Sequence, residues 1–311
     1  MTSQTVTMTA HDGRELTLAD EHLRKVLQGE AYLLFDGAMG TMLESSVSRP
    51  GDLPDLLNLT KPEAVTAVHR QYVEAGSQVV TTNTFGANPF KLRDAASVED
   101  VYVAAITCAR ASGARYVAAD IGPTGKLMRP MGVLTFEDAK DIFSQQARAA
   151  KEGGADLVIV ETMADLQEAK AAVEAVCENT DLPVFATMTF DKRGRTYMGV
   201  RAEDAARELC AAGASAVGAN CSVGPDAMLP IAEVMRDTVS CPVIIQANAG
   251  LPQLVDDKTI YPTTPEEYVD LLQPIMDAGV TIFGGCCGTN PRYITLMHEA
   301  LAARAALGLQ E

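Results

Sequence analysis

Short apolar runs punctuate the chain, and they close on the same few residue types. In order they read AYLLFDGAMG, QVVTTNTFGAN, YVAADIGPTG, DLVIVETM, PVFATMTF, AVGANCSVG, CPVIIQANAG and TIFGGCCGT. Each opens on β-branched or aliphatic residues and ends in Gly, Asn, Asp, Glu or Cys. Continuous runs of this length suit strands buried on both faces. Between them the apolar positions take up a helical period. KPEAVTAVHRQYVEAG has Pro62 near its start and Gly76 beyond its last turn. TFEDAKDIFSQQARAAKEGG opens with Thr135 and Asp138 at capping-box spacing and stops on glycine. Similar patterns occupy 95–114, 164–178, 202–213, 226–238, 265–279 and 290–307. Eight strand–helix units in succession predict an α/β protein folded as a (β/α)8 TIM barrel. An open doubly wound sheet is the weaker reading, because closure uses all eight strands and leaves no sheet edge.

Residues 1–30 fall outside the repeat and form an N-terminal extension. LADEHLRKVLQGE predicts a short helix that covers the barrel floor, with a polar tail before it. Residues 31–311 are then one barrel domain. The last helical pattern nearly reaches the C-terminus, so no second domain is expected.

Composition narrows the function classes. The 311 residues carry a formal charge of −16 and are 47% hydrophobic. An acidic surface argues against nucleic acid and against anionic membranes as partners. No basic-then-apolar leader opens the chain, and no apolar stretch reaches the roughly 18 residues that span a bilayer. Seven cysteines, an odd number spread over a long chain, suit a reducing cytoplasm better than a disulfide framework.

Three of those cysteines stand at strand ends, where barrels gather their chemistry: Cys221 after the sixth strand, Cys286 and Cys287 after the eighth. Cys108, Cys177 and Cys210 fall in helices and Cys241 opens the seventh strand; these read as small buried hydrophobes. A bridge between neighbours is disfavoured, since adjacent Cα atoms lie about 3.8 Å apart, below the usual range for a disulfide. Two inert core cysteines remain the alternative, although strand side chains alternate faces. Gly285 and Gly288 let the backbone leave strand geometry, so that both thiols can turn to one metal ion. Three thiolates favour zinc, and three protein ligands with one open place describe a catalytic site. Such a site suits activation of a fourth thiol for S-alkylation better than polarisation of a carbonyl. Glu161 ends the fourth strand and reads either as a structurally paired carboxylate or as a receptor for an ammonium group. The backbone N–H groups of DGAMGT, which starts at Asp36, can receive a carboxylate. Together these describe a site for a thiol amino acid. A Schiff-base lyase or aldolase would want a strand-end lysine, and Lys126 and Lys192 lie in loops.

At these residues the sequence resembles the homocysteine S-methyltransferase family, and most nearly the homocysteine-binding domain of cobalamin-dependent methionine synthases. The motifs run from FDGAMGTML through DLLNLTKPEAV, TTNTFGAN, IGPTG, ET at 161–162, GANCSVGP and NAGLP to GGCCGTNP, over residues 31–305. The resemblance implies a zinc-dependent barrel that activates homocysteine for methyl transfer, giving methionine. It implies Cys221, Cys286 and Cys287 as zinc ligands, and Asn248 as the side-chain oxygen that fills the fourth place in the resting enzyme. It implies Glu161 at the substrate amino group, and Asp36, Gly37, Thr82 and Asn83 near the amino acid. The chain departs from the family in reading Asn290 where a threonine is frequent. No D-x-H-x-x-G cobalamin motif surrounds His11, His22, His69 or His298. The expected donor is therefore a methyl-corrinoid on a separate protein. The rivals are a small free donor of the S-methylmethionine or betaine kind, and a non-catalytic thiol- or zinc-binding subunit of a corrinoid complex.

Overall fold

The computed structural model describes residues 5–44, 53–255 and 258–308. Eight parallel strands form one sheet, nearly closed into a barrel: Leu33–Leu34, Val79–Thr81, Tyr116–Ile121, Leu157–Met163, Val184–Met188, Ala216–Asn220, Val243–Ala247 and Ile282–Gly285. Helices Pro62–Glu74, Val98–Ala111, Phe136–Gly153, Leu166–Asn179, Ala202–Ala211, Pro225–Thr238, Pro265–Asp277 and Pro291–Ala306 alternate with them. The (β/α)8 reading is therefore met. Helix starts follow local chemistry: Thr135 and Thr264 make full capping boxes, and Ser97 and Asp165 cap through their side chains.

The first and second barrel strands share no continuous ladder, and side chains complete the seam between them. Gln78 N–H donates to Leu34 O at 2.8 Å, and Leu34 N–H donates to Gln78 Oε1 at 3.0 Å. One residue further along, the Asp36 carboxylate accepts from Thr81 N–H at 2.8 Å and from the Thr81 hydroxyl at 2.9 Å. The Asp36 carbonyl meanwhile accepts from Gly285 N–H of the eighth strand. Asp36 thus ties together the two strands that flank it.

Strand alternation divides the core in two. Inward positions, including Leu33, Phe35, Val79, Tyr116, Leu157, Ile159, Phe185, Ile244 and Ile282, fill the barrel. Outward positions such as Leu34, Val80, Val117, Val158 and Ile245 pack under the helices. Leu16, Leu18, Leu23 and Val26 join the interior cluster from below, so helix Glu21–Leu27 sits under the barrel floor. The stretch before that helix differs from the expected polar tail. Val6–Thr9 and Glu15–Leu18 pair as an antiparallel hairpin, and the hairpin ties to the barrel floor through Thr17, which bonds Asp181 with its N–H and its hydroxyl. Four-residue strands with two apolar residues each give too little alternation to be seen in sequence. A second hairpin, Gln253–Val255 with Lys258–Ile260, stands in the loop after the seventh barrel strand. Residues 1–4 and 309–311 of the two expected segments lie outside the described residues. Among the described residues no helix is long and apolar enough to cross a membrane.

One helix carries a testable acid sensitivity. His69, on Pro62–Glu74, is fully buried, and neither ring nitrogen has a partner. Burial pushes its pKa down to about 3. The neutral ring is the folded form, so this contribution is intact above the unfolded pKa of about 6.5. It is lost as pH falls from there toward 3, at up to about 1.4 kcal/mol per pH unit. The stability gap between His69→Leu and the wild type is expected to move in favour of the variant from pH 6.5 to 4. Parallel denaturation curves over that range would refute the assignment.

Candidate active site at the barrel mouth

The sixth strand ends at Asn220, and the chain then hooks back through two left-handed residues, Cys221 at φ +60° and Ser222 at φ +62°. Cys221 N–H still bonds Gln246 O, which sets its thiol beside the seventh strand. The eighth strand delivers the adjacent pair. Cys286 N–H bonds Ala247 O, and the Cys287 carbonyl accepts from Ala249 N–H. The turn that follows is made at Gly288, whose φ is +82°; a Cβ there would lie 2.2 Å from Cγ of Tyr261. Gly285 does not bend the chain as expected. It is the last strand residue, and its missing side chain leaves room for Thr289, which would approach a Cβ to 2.3 Å.

The result is that all three sulfurs lie within 4.8 Å of one another, with Cys221 Sγ and Cys287 Sγ 3.8 Å apart. Tetrahedral zinc with bonds near 2.3 Å wants sulfurs roughly 3.8 Å apart. The protons on the cluster are shared unequally. Cys287 is held down to about 3, because Cys221 and Cys286 donate to it and outweigh its burial. Cys286 is pushed well up by its own donation to Cys221 and Cys287 and by burial. Cys221 reaches about 11: donation from Cys286 pulls it down, but donation to Cys287 and burial prevail. The cluster thus carries one negative charge and two protons that a cation would displace.

The thiols form one wall of a cavity of about 450 Å³. Asp36, Asp55, Asp120 and Glu161 also line it, with one lysine, Lys91. Glu161 reaches it because the fourth strand bulges. Its register against the fifth strand shifts between Val160 and Met163, and Thr162 sits at φ +62°. Asn220 holds the bulge: Thr162 N–H donates to its Oδ1 at 2.9 Å, and its Nδ2 donates to the Thr162 hydroxyl at 2.8 Å. The same Nδ2 lies 3.9 Å from Cys286 Sγ, so one amide braces both the carboxylate strand and a thiol.

Crowded in a poorly solvated space, these carboxyls hold their protons. Glu161 is pushed up to about 8 by burial, then by Asp36 and the Cys287 thiolate. Asp36 rises to about 7 through burial, against the pull of its Thr81 hydrogen bonds. Asp120 rises well above the usual range through burial and the negative neighbours Glu161, Asp55 and Asp36, and its Oδ1 has no partner. The cavity therefore presents acceptors to a guest that brings its own positive charge.

The structure brings Asp36, Gly37, Thr82, Asn83, Glu161 and the three cysteines together on the cavity. Several of them already have partners. The Thr82 hydroxyl accepts from Asp120 N–H, and Asn83 Nδ2 donates to Pro54 O. Gly37 is a packing requirement, since a Cβ there would fall 2.7 Å from the Thr289 hydroxyl oxygen. Asn248 does not line the cavity. It is buried between two residues bonded to the cysteine backbone, and its Oδ1 is unpartnered. Sequence reading missed Asp120, Asn220, Lys91 and Tyr261. Asp120 carried a signal, a carboxylate closing an apolar run. The other three belong to loops or to a strand end with ordinary polar residues. Tyr261 comes from the second hairpin and donates its hydroxyl to Cys287.

A (β/α)8 barrel with three converging thiols and a carboxylate-lined cavity at its mouth defines a class of thiol-binding barrel proteins. Comparison with known proteins narrows it. The profile of the homocysteine S-methyltransferase family matches residues 33–301, and the chain belongs to that family. It is 32% identical to methionine synthase of Mycobacterium tuberculosis over 92% of this chain and 26% of that protein. It is 33% identical to methionine synthase of Mycobacterium leprae over 88% of this chain and 24% of that protein. The chain thus spans about a quarter of the length of these curated relatives. Its fold is similar to that of the metallated homocysteine methyltransferase MmuM from Escherichia coli, with a TM-score of 0.75 at 23% identity, over 90% of this chain and all of that one.

Proposed function

We propose that this chain is a zinc-dependent methyltransferase that accepts homocysteine, takes a methyl group onto its sulfur and releases methionine. The observation that carries the reading is the convergence of Cys221, Cys286 and Cys287 on the same cavity wall as Glu161. The cysteines hold the ion, with the unpartnered Asn248 Oδ1 as the oxygen donor in the absence of substrate. Zinc supplies acidification of a coordinated thiol, while three thiolates keep the sulfur electron-rich.

The chain's own residues orient the amino acid. Glu161, with Asp120 and Asp36 nearby, receives the ammonium group, and the arriving charge draws a carboxyl into its ionised form. Gly37, Thr82 and Asn83 shape the wall against which the substrate backbone rests. In the transfer, a sulfur electron pair forms the new bond to carbon. The bond from methyl to donor breaks, and its electron pair leaves with the donor. The thiol proton is released.

The donor we propose is a methyl-corrinoid carried by a separate protein that docks over the mouth. The loops there expose apolar side chains: Leu127, Val133, Tyr197, Leu251 and Leu254 are each more than half exposed. Such a rim suits a protein partner. The protein is expected to act in the cytoplasm, with neither nucleic acid nor membrane as a partner. The deciding experiment offers homocysteine with methylcobalamin, S-methylmethionine, betaine, or methyltetrahydrofolate plus a corrinoid protein. Demethylation of the corrinoid protein only when this chain and homocysteine are both present supports the reading. Turnover of a sulfonium donor with no corrinoid demethylated would replace it with the small-donor reading. No turnover with any donor would leave a thiol-binding subunit.

A further inference from the structure

The barrel floor holds a second group of sulfur and nitrogen side chains, at the opposite end from the mouth. Cys210 lies in the last turn of Ala202–Ala211, and Cys241 stands two residues before Val243–Ala247. Both ends point to the floor, where the N-terminal hairpin is docked. His11, in the hairpin turn, places Nε2 3.6 Å from Cys210 Sγ and 2.6 Å from the Cys210 carbonyl. Arg14 of the same hairpin donates to Gly213 O at 2.8 Å, which fixes the turn against this loop. His11 and Cys241 line a cavity of about 150 Å³ together with Ser215 and Ser240. The Ser215 side chain is 8% exposed, yet its hydroxyl has no partner. A buried hydroxyl without a partner is rare and marks a hydrogen-bonding position left for a small polar molecule. A volume of this size admits one.

We infer that Cys210 and Cys241, with His11, form a redox-active thiol pair that a hydroperoxide converts to a disulfide. The electronics favour Cys210 as the attacking group. It is held down to about 6 by the thiol of Cys241, which donates to it, and by His11, against its partial burial. Cys241 is pushed up by that donation and by burial, so it keeps its proton until the second step. Cys210 is only part-buried, as a reacting thiol must be. The other cysteine of this neighbourhood, Cys177, is pushed up to about 12 by burial and is unsuited to attack.

The steps balance as follows. The Cys210 thiolate attacks the terminal oxygen of the hydroperoxide; a sulfur–oxygen bond forms, the O–O bond breaks, and the departing alkoxide takes a proton to leave as the alcohol. Cys241 then attacks the Cys210 sulfenic sulfur, the S–S bond forms, and the hydroxyl leaves as water with the Cys241 proton. Two thiols are oxidised and one peroxide is reduced. This site is independent of the chemistry at the mouth.

The test treats the full chain with cumene hydroperoxide and maps cysteines by peptide mass spectrometry. A Cys210–Cys241 linkage is expected to form before any other. In Cys241→Ser, a sulfenic acid on Cys210 should persist and be trapped by dimedone. His11→Gln should slow linkage several-fold at pH 7, an effect that shrinks above pH 9, where the thiol ionises without help. Linkage of Cys210 to Cys177, oxidation confined to Cys221, Cys286 and Cys287, or a rate unchanged in His11→Gln would each overturn the inference.

Discussion

Cys286→Ser is expected to lose bound zinc and, with it, homocysteine methylation by on the order of a hundredfold or more, while the barrel stays folded. The loss is large because one of three ligands goes, and even groups that only support a ligand are worth 10- to 100-fold in affinity. The fold survives because the side chain contributes little to it. Cys286 lies beyond its strand, and its contacts with Ala247 and Thr289 are made by the backbone. Metal analysis, circular dichroism and turnover on the same preparation separate these effects. The Cys221→Ala, Cys286→Ala double variant is the stricter case: full zinc occupancy in it would sink the metal assignment.

The second large effect has two signs. Glu161→Gln should weaken use of homocysteine roughly tenfold or more, since a charge-assisted hydrogen bond is worth about 1.5–3 kcal/mol. Zinc content should not change. The ligand-free protein should, however, become more stable. Glu161 titrates at about 8 in the folded chain against 4.5 for the free side chain. Its raised pKa means that the ionised form opposes folding. The penalty is fully present above pH 8 and is relieved as pH falls through 8 toward 4.5. Glutamine never ionises, so the variant lacks this pH dependence and gains on the order of a few kcal/mol at pH 8. Urea denaturation at pH 6 and pH 8, without substrate, reads the difference. A variant less stable than wild type at pH 8, or wild-type kinetics with homocysteine, would contradict the role. Such a trade is common where binding groups are held unpaired.

How much of this was legible beforehand depends on the distance over which the information acts. The eight strands and eight helices were visible because periodicity and caps are local. Thr135 and Asp138 announced their helix, and Gly76 ended its own. The trithiol was visible because two ligands are adjacent and all three follow apolar runs. The hairpin at 6–18 was not, since its stability comes from Leu16 and Leu18 entering the barrel floor, a contact no local pattern encodes. Gly285 was misread for a related reason: its lack of a side chain serves Thr289, four residues on and folded back over it. Asn220 was quoted only as part of a motif. Its bracing of Thr162, 58 positions earlier, exists only once the barrel closes. The small cavity under Cys241 was equally silent, because it is made by the hairpin meeting two strand starts.

The seam beside Asp36 gives the barrel a fastening that can loosen and tighten. A ladder of peptide groups has a constant strength near neutral pH; a carboxyl whose pKa is about 7 does not. Ionised, it accepts fully from both the N–H and the hydroxyl of Thr81; protonated, one oxygen accepts only weakly. An ammonium guest in the adjoining cavity favours the ionised form. Occupancy at the mouth and the grip between the first two strands therefore rise together, and an empty barrel breathes most at the place where substrate enters. Amide exchange at Thr81 reports that breathing, and a rate unmoved by homocysteine would show the two to be uncoupled.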